Sequence, residues 1–177
     1  MNNLAGGRVD YSSLQFVDLN DNEFAKFKVH RGDILFNRTN SFELVGKTSL
    51  FESDENCVFA SYLVRVTLDD EQVEPAYVNF YMNLGETQRR LKTLAGRAVS
   101  QSNINATKLK GFSIPFPDKP SQSEIADQIA AIDRKIRQEV GRRTACEELF
   151  KSLLHDLMTG QRRVHELDLD FAEEEAA

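Results

Sequence analysis

Between Glu86 and Lys110 the chain carries six bases, Arg89, Arg90, Lys92, Arg97, Lys108 and Lys110, against one acid, Glu86. Gln88, Thr93, Ser100, Gln101, Asn103 and Asn105 are interleaved with them. Arginine and lysine neutralise phosphates. Arginine, glutamine and asparagine also have the two-pronged geometry that pairs with guanine and adenine edges. An ordinary solvated helix face and loop would show the same composition. A second polar stretch, Asn37-Arg38-Thr39-Asn40-Ser41, follows directly on the apolar run Ile34-Leu35-Phe36. That order sets amide, guanidinium and hydroxyl groups at the end of a buried strand, where a rigid scaffold presents them to a ligand. The same residue types can instead close a connection by bonding their own backbone. On side-chain chemistry, the polymer-facing candidates are Arg38, Asn40 and Lys47 on one side and Arg89, Arg97, Gln101 and Asn103 on the other.

Other chemistries find little support. Asp69-Asp70-Glu71 lies in a charge run beyond a strand end and reads as a solvated loop. Gly6-Gly7 is a bare pair rather than a phosphate-cradling loop, and no Ser, Cys or His stands in a nucleophile setting. His30, His155 and His165 lack metal-ligand spacing, so no metal site is expected. Cys57 and Cys146 have no CxxC partner and read as free thiols of a reducing cytoplasm. No stretch is apolar enough to cross a membrane and the first residues carry no signal-peptide core. A non-catalytic chain with no cofactor of its own is therefore expected. The net charge of −6 arises at the C-terminus, where six carboxylates follow Val164; without them, acids and bases balance at 22 each. An acidic total does not exclude nucleic acid, because binding depends on local patches.

Several elements must position the candidates. Val9, Tyr11, Leu14 and Phe16 suggest a strand after the Gly6-Gly7 turn. Residues 20–27 read as a short helix capped by Asn20 or Asp21, with Glu23 in its first turn. Strands are expected at 34–36, at 45–51 and, longest, at 57–66, which is β-branched and aromatic. Pro75 opens a helix to about Leu84, Gly85 breaks it, and a second helix runs to about Ala95. A polar loop with a short helical turn covers 96–111. Phe112 to Pro117 alternates like an edge strand, with prolines that bar it from a sheet interior. Pro117-Asp118-Lys119-Pro120 reads as a stiff link that keeps the following helix off the sheet.

That helix should run from Pro120 to Gly160, opened by a capping box at Ser121 to Glu124 and closed by a left-handed Gly160. Ile125, Ile129, Ile132, Ile136, Val140, Cys146, Phe150, Leu153 and Leu157 recur mostly at threes and fours, an amphipathic seam for pairing with another helix. At 1.5 Å per residue, about 39 residues give a rod of roughly 58 Å. The seam slips near Gly141 and Arg143, either a loosely packed midpoint or a close crossing with a partner helix. The expected fold is α+β: a mixed, mostly antiparallel sheet with short helices over residues 1–118, a long coiled-coil helix over 119–160, and an acidic flexible tail over 161–177.

Three stretches together resemble the specificity subunits of type I restriction–modification enzymes. They are Gly32-Asp33-Ile34-Leu35-Phe36-Asn37-Arg38-Thr39-Asn40-Ser41-Phe42-Glu43-Leu44-Val45-Gly46-Lys47, then Ser102-Asn103-Ile104-Asn105 through Ile114-Pro115-Phe116-Pro117, then Glu148 to Gly160. The resemblance implies a target-recognition domain that reads part of a bipartite DNA sequence, followed by a helix that pairs antiparallel and sets the gap between half-sites. It implies double-stranded DNA, an adenine-N6 DNA methyltransferase subunit and an endonuclease/translocase subunit as partners. S-adenosylmethionine and ATP would belong to those partners. The family carries domain and helix twice, whereas this chain carries each once and begins later, which implies half of a split subunit, a homodimer, or a gene remnant. A coiled-coil assembly protein without autonomous DNA binding is the alternative reading.

Overall fold

The computed structural model describes residues 3–97 and 101–164, with Arg97 described by its backbone alone. The chain divides into two compact units, Met1–Ile129 and Ala130–Ala177.

The first unit is built around β3, Ile34–Asn37, all four residues of which are buried. A turn launches it. Gly32 takes φ +92°, and the buried Asp33 carboxylate accepts the His30 N–H at 2.8 Å and the Thr67 hydroxyl at 2.9 Å. β3 pairs antiparallel with β5 (Thr48–Leu50) and with β6 (Leu63–Val66). β5 in turn pairs parallel with β2 (Arg8–Val9), whose antiparallel neighbour is β1 (Leu4–Ala5). The sheet order is therefore β1-β2-β5-β3-β6. Gly6 and Gly7 join β1 to β2 with φ of 58° and 80°, the positive values that a two-residue hairpin turn requires.

Alternation along β3 divides the core in two. Ile34 and Phe36 pack with Val45, with Tyr77, Val78 and Met82 of α2 (Pro75–Asn83), with Leu91 of α3 (Gly85–Thr93), and with Ile104 and Ala126. Leu35, on the other face, packs with Leu4, Val29 and Phe51. The helix starts follow the sequence signals. Asn20 and Glu23 form a reciprocal capping box on α1 (Asp21–Phe27). Pro75 stands in the first turn of α2, and the Glu74 carboxylate accepts the Ala76 N–H.

Four elements differ from the sequence expectation, each for a local reason. Residues 10–20 form no strand; Phe16 is fully exposed, so its alternation serves no buried face. The expected strand at 57–66 shrinks to β6 plus an isolated bridge at Val58, because the turn between Ala60 and Leu63 interrupts it. The strand at 45–51 shrinks to β5, since Gly46 is left-handed at φ +91°. Residues 112–117 join no sheet: two prolines remove donors, and the Pro115 and Ser113 carbonyls accept instead from the Tyr77 hydroxyl and the Arg90 guanidinium.

After the short helix α4 (Ala106–Lys110), the long helix α5 spans Lys119–Met158. It begins before the Ser121 box, so Asp118 rather than Ser121 does the capping. Asp118 accepts the Ser121 hydroxyl at 2.6 Å and the Ser121 N–H at 3.4 Å. The hydroxyl bond, foremost, holds the Asp118 carboxyl below the usual carboxylate range. The preceding link does not hold the helix away from the domain. Gln122 is fully buried within the first unit: its Oε1 accepts the Glu74 N–H at 2.9 Å, and its Nε2 donates to the Pro117 carbonyl at 2.8 Å and the Gln72 carbonyl at 3.3 Å.

In the second unit, α5 leaves its apolar stripe open. Ile132, Ile136, Val140, Leu149, Phe150, Leu154 and Met158 are all exposed, while Leu153 and Leu157 are half-buried. Lys135–Glu139 and Arg143–Glu147 form (i, i+4) ion pairs at 2.7 and 3.3 Å, and Arg137 pairs with Asp133. Arg143 thus keeps its charge on the helix surface. A Cβ at Gly141 would meet nothing within 4 Å. Gly160 closes the segment at φ +72°, as its position after the last apolar residue suggested. Residues 165–177, most of the expected acidic tail, lie outside the described residues.

Candidate nucleic-acid interface

The two polar stretches singled out from sequence meet in a second sheet. β4 (Thr39–Asn40) pairs antiparallel with β8 (Ser102–Asn103), which pairs antiparallel with β7 (Gly96–Arg97). The register sets Thr39 against Asn103, Asn40 against Ser102, and Ser102 against Arg97. Side chains and main chain lock the junction. The Asn103 amide donates to the Thr39 hydroxyl at 2.7 Å, and the Ile104 N–H donates to the Arg38 carbonyl at 2.9 Å. Ile104, fully buried, anchors this edge in the main core.

The individual candidates divide by placement. Gln101 and Asn103 are exposed on β8 or at its start, and Arg89 is exposed on α3. Arg38 is half-buried, its Nε donating to the Ser61 carbonyl at 3.2 Å. Lys47 is half-buried, and its carbonyl accepts the Asn37 N–H at 2.8 Å. Arg97 lies in β7 by its backbone. Asn40 is the exception: its side chain is buried, and its Oδ1 accepts the Ser41 N–H at 2.8 Å. In this fold Asn40 shapes the turn that follows it. Leu44 and Val45 then donate back to the Ser41 carbonyl at 3.1 and 2.9 Å.

α3 buttresses this turn. Gln88 donates to the Gly46 carbonyl at 2.9 Å and to the Met82 carbonyl at 2.6 Å, tying turn, α2 and α3 together. A Cβ added at Gly46 would meet Gln88, Leu91 and Ile104, so the glycine serves both its left-handed φ and this close approach. Thr87 and Leu91 face inward and are buried, which leaves Arg89 and Lys92 outward on one helical side. No local pattern marks the Gln88 clamp, since its two acceptors are backbone atoms in other segments. Among the described side chains, Arg90 and Lys108 are hydrogen-bonded within the fold. Arg90 donates to the Tyr81 hydroxyl at 3.0 Å and stacks 4.8 Å from the Phe112 ring, and Lys108 donates to the Leu94 carbonyl at 2.9 Å.

Chemically, the arrangement offers the guanidinium of Arg89 and the ammonium of Lys92 on α3, Arg38 and Lys47 in the segments flanking β4, and the amides of Gln101 and Asn103 at β8. A phosphate backbone requires donors of that kind, and base edges require the amides.

Comparison with known proteins agrees with this architecture. Residues 4–147 match the family model described as type I restriction modification DNA specificity domain. The chain is 31% identical over 135 residues to a putative type I restriction enzyme MjaX specificity subunit of Methanocaldococcus jannaschii, covering 75% of this chain and 32% of that one. It is 27% identical over 151 residues to the StySPI specificity subunit of Salmonella potsdam, covering 82% of this chain and 33% of the relative. With the EcoKI specificity subunit of Escherichia coli it shares 24% identity over 188 residues, covering all of this chain and 40% of the relative. The chain thus spans between 32% and 40% of the length of these relatives. The match runs through both sheets and through most of α5, and on that extent this chain belongs to the type I restriction modification DNA specificity domain family.

Proposed function

We propose that this chain recognises a double-stranded DNA sequence as part of the specificity subunit of a type I restriction–modification complex. In that complex it directs an adenine-N6 DNA methyltransferase subunit and an endonuclease/translocase subunit to their target. The observation that carries the reading is the β4-β8-β7 sheet. It unites the two stretches singled out by side-chain chemistry, and its strand β7 follows closely on the end of α3 in the chain. The chain contributes recognition and docking rather than catalysis. S-adenosylmethionine and ATP are handled by the partner subunits, in the cytoplasm where the DNA lies. Arg38, Lys47, Arg89, Arg97, Gln101 and Asn103 face DNA in this reading, while Asn40 supports the loop beside it. The exposed seam of α5, from Ile125 and Ile129 through Ile132, Ile136 and Val140 to Phe150, Leu153 and Leu157, pairs with the helix of a second specificity half or of a second copy.

The test is binding to cognate and scrambled duplexes at low and high salt, using the chain assembled with its partner subunits. Replacing Gln101 by Ala should cost about 1–3 kcal/mol of discrimination if it reads a base edge. Replacing Arg89 by Ala should weaken both duplexes alike and reduce the salt dependence by about one phosphate contact. Unchanged discrimination and an unchanged salt slope in both variants would remove the interface from consideration.

A further inference from the structure

The turn between β4 and β5 presents apolar side chains where a solvated connection would present polar ones. Phe42 and Leu44 are each 40% exposed. The turn beneath them is rigid. Asn40 Oδ1 and the Ser41 carbonyl accept three of its N–H groups, Val45 is fully buried, and Gln88 holds the Gly46 carbonyl. Its two ends feed directly into β4 and into Lys47. The Lys92 ammonium lies 5.9 Å from the centre of the Phe42 ring, and Arg89 is one turn earlier on the same exposed side of α3.

Cations around an exposed aromatic tip complement a polyanion with stacked, apolar planes in its interior. A neutral protein partner would gain from the apolar pair alone, whereas a polyanion would also meet Lys92. Two carboxylates also face this surface, Glu43 at the tip and Glu86 in the first turn of α3. Glu86 sits at a helix N-terminus, where a negative charge is favourable. Glu43, carried between the two apolar residues, would meet base edges rather than phosphates, and a carboxylate on the minor-groove side, where such wedges enter, can accept from the guanine amino group.

We propose that Phe42 and Leu44 form a wedge that enters a base-pair step of the bound duplex and partly unstacks it, with Lys92, Lys47 and Arg89 on the flanking phosphates. Proteins that insert phenylalanine or leucine between base steps bend the duplex and read its deformability as well as its edges. The inference rests on the DNA-recognition reading above and adds a mode of recognition to it. The wedge would make specificity depend on how easily one step opens, even where no side chain touches a base edge.

The tagged full chain, purified from its own cells with its bound subunits, selects duplexes from a randomised pool. The selected duplex is then remade with 2-aminopurine at successive positions, a base whose fluorescence rises when it is unstacked. The wild-type chain should brighten one step. Phe42→Ala should leave that step dark and weaken binding about tenfold, and Phe42→Trp should restore both. Phe42 is 40% exposed and lies beside Lys92, so Phe42→Ala should lower the melting temperature but keep a single cooperative transition, which separates loss of the wedge from loss of the fold. A wild-type chain that binds its selected duplex but leaves every position dark overturns the wedge and leaves DNA recognition standing. Failure to retain any duplex overturns both. If Phe42→Ala leaves binding and fluorescence unchanged but strips a subunit from the purified complex, the tip is a protein-docking surface and the wedge is wrong.

Discussion

Asn37 shows how a single residue can be placed correctly by sequence and still be misread. It opens the polar stretch 37–41, yet it ends β3 with its side chain fully buried and both amide atoms without a hydrogen-bond partner among the described residues. Its main chain carries the structural duty, donating to the Lys47 carbonyl and accepting the Gly46 N–H, both at 2.8 Å. An unpaired buried amide costs about 1–3 kcal/mol. Asn37→Leu, close in volume and free of polar atoms, should therefore stabilise the chain by an amount of that order. That corresponds to a melting temperature higher by several degrees at about 2–4 °C per kcal/mol for a chain of this size. A lower melting temperature for Asn37→Leu would show that the amide has a use in the folded chain. Asn40 carries the same lesson. Residue type alone gave donors at a strand end, and only the backbone path decides that Asn40 turns inward to the Ser41 N–H while Gln101 and Asn103 stay exposed. Side-chain direction in a short turn depends on φ and ψ at Gly46 and on contacts from α3 more than forty residues away, which no local pattern encodes.

Among the elements, α1, α2 and α3 were legible because their signals are local: a capping box, a proline in the first turn, a glycine at the break. The strands were legible in place but too long in extent, since β-branched composition continues through turns that long-range contacts impose at Gly46 and Ala60. The start of α5 was misjudged for a related reason. Its apolar periodicity advertised the isoleucines, yet the contacts that fix its first turns to the domain are made by Gln122 and Ala126. A buried glutamine leaves no hydrophobic trace in a sequence. Gln122→Ala should be costly, because it strips the Glu74 N–H and the Pro117 carbonyl of their partner at once. At about 1–3 kcal/mol for each buried group left unsatisfied, chemical denaturation should show a loss of at least about 2 kcal/mol. Gln122→Glu, which keeps the acceptor for Glu74 but not the donor for Pro117, should cost more than nothing and separate the two bonds. A fully neutral Gln122→Ala would mean that water replaces both contacts.

For the molecule as a whole, the apolar stripe of α5 is exposed among the described residues of the second unit. A helix of this length draws most of its stability from packing, so the stripe is the surface on which association should depend. Ile132 is 62% exposed, and Ile132→Asp should leave the melting of the first unit unchanged while placing an unpaired charge in any helix–helix seam. Sedimentation should then show an associated wild-type chain and a monomeric variant; a wild-type monomer at high micromolar concentration, with no affinity for a methyltransferase subunit, would defeat that expectation. The small β4-β8-β7 sheet has a different consequence, in the order of events at the ribosome. Thr39 and Asn103 are 64 residues apart, and every strand of the larger sheet precedes α2. The larger sheet can therefore close on the nascent chain while β7 and β8 are still unmade, and closing so long a loop carries its own entropic delay. A chain released before Asn103 would lack β8 and also Ile104, Ala126 and the buried Gln122, so its core would stay unfinished. Under the proposed function, completion of the core and of the DNA-facing sheet would then come together, and only a chain translated past both would commit a complex to a sequence.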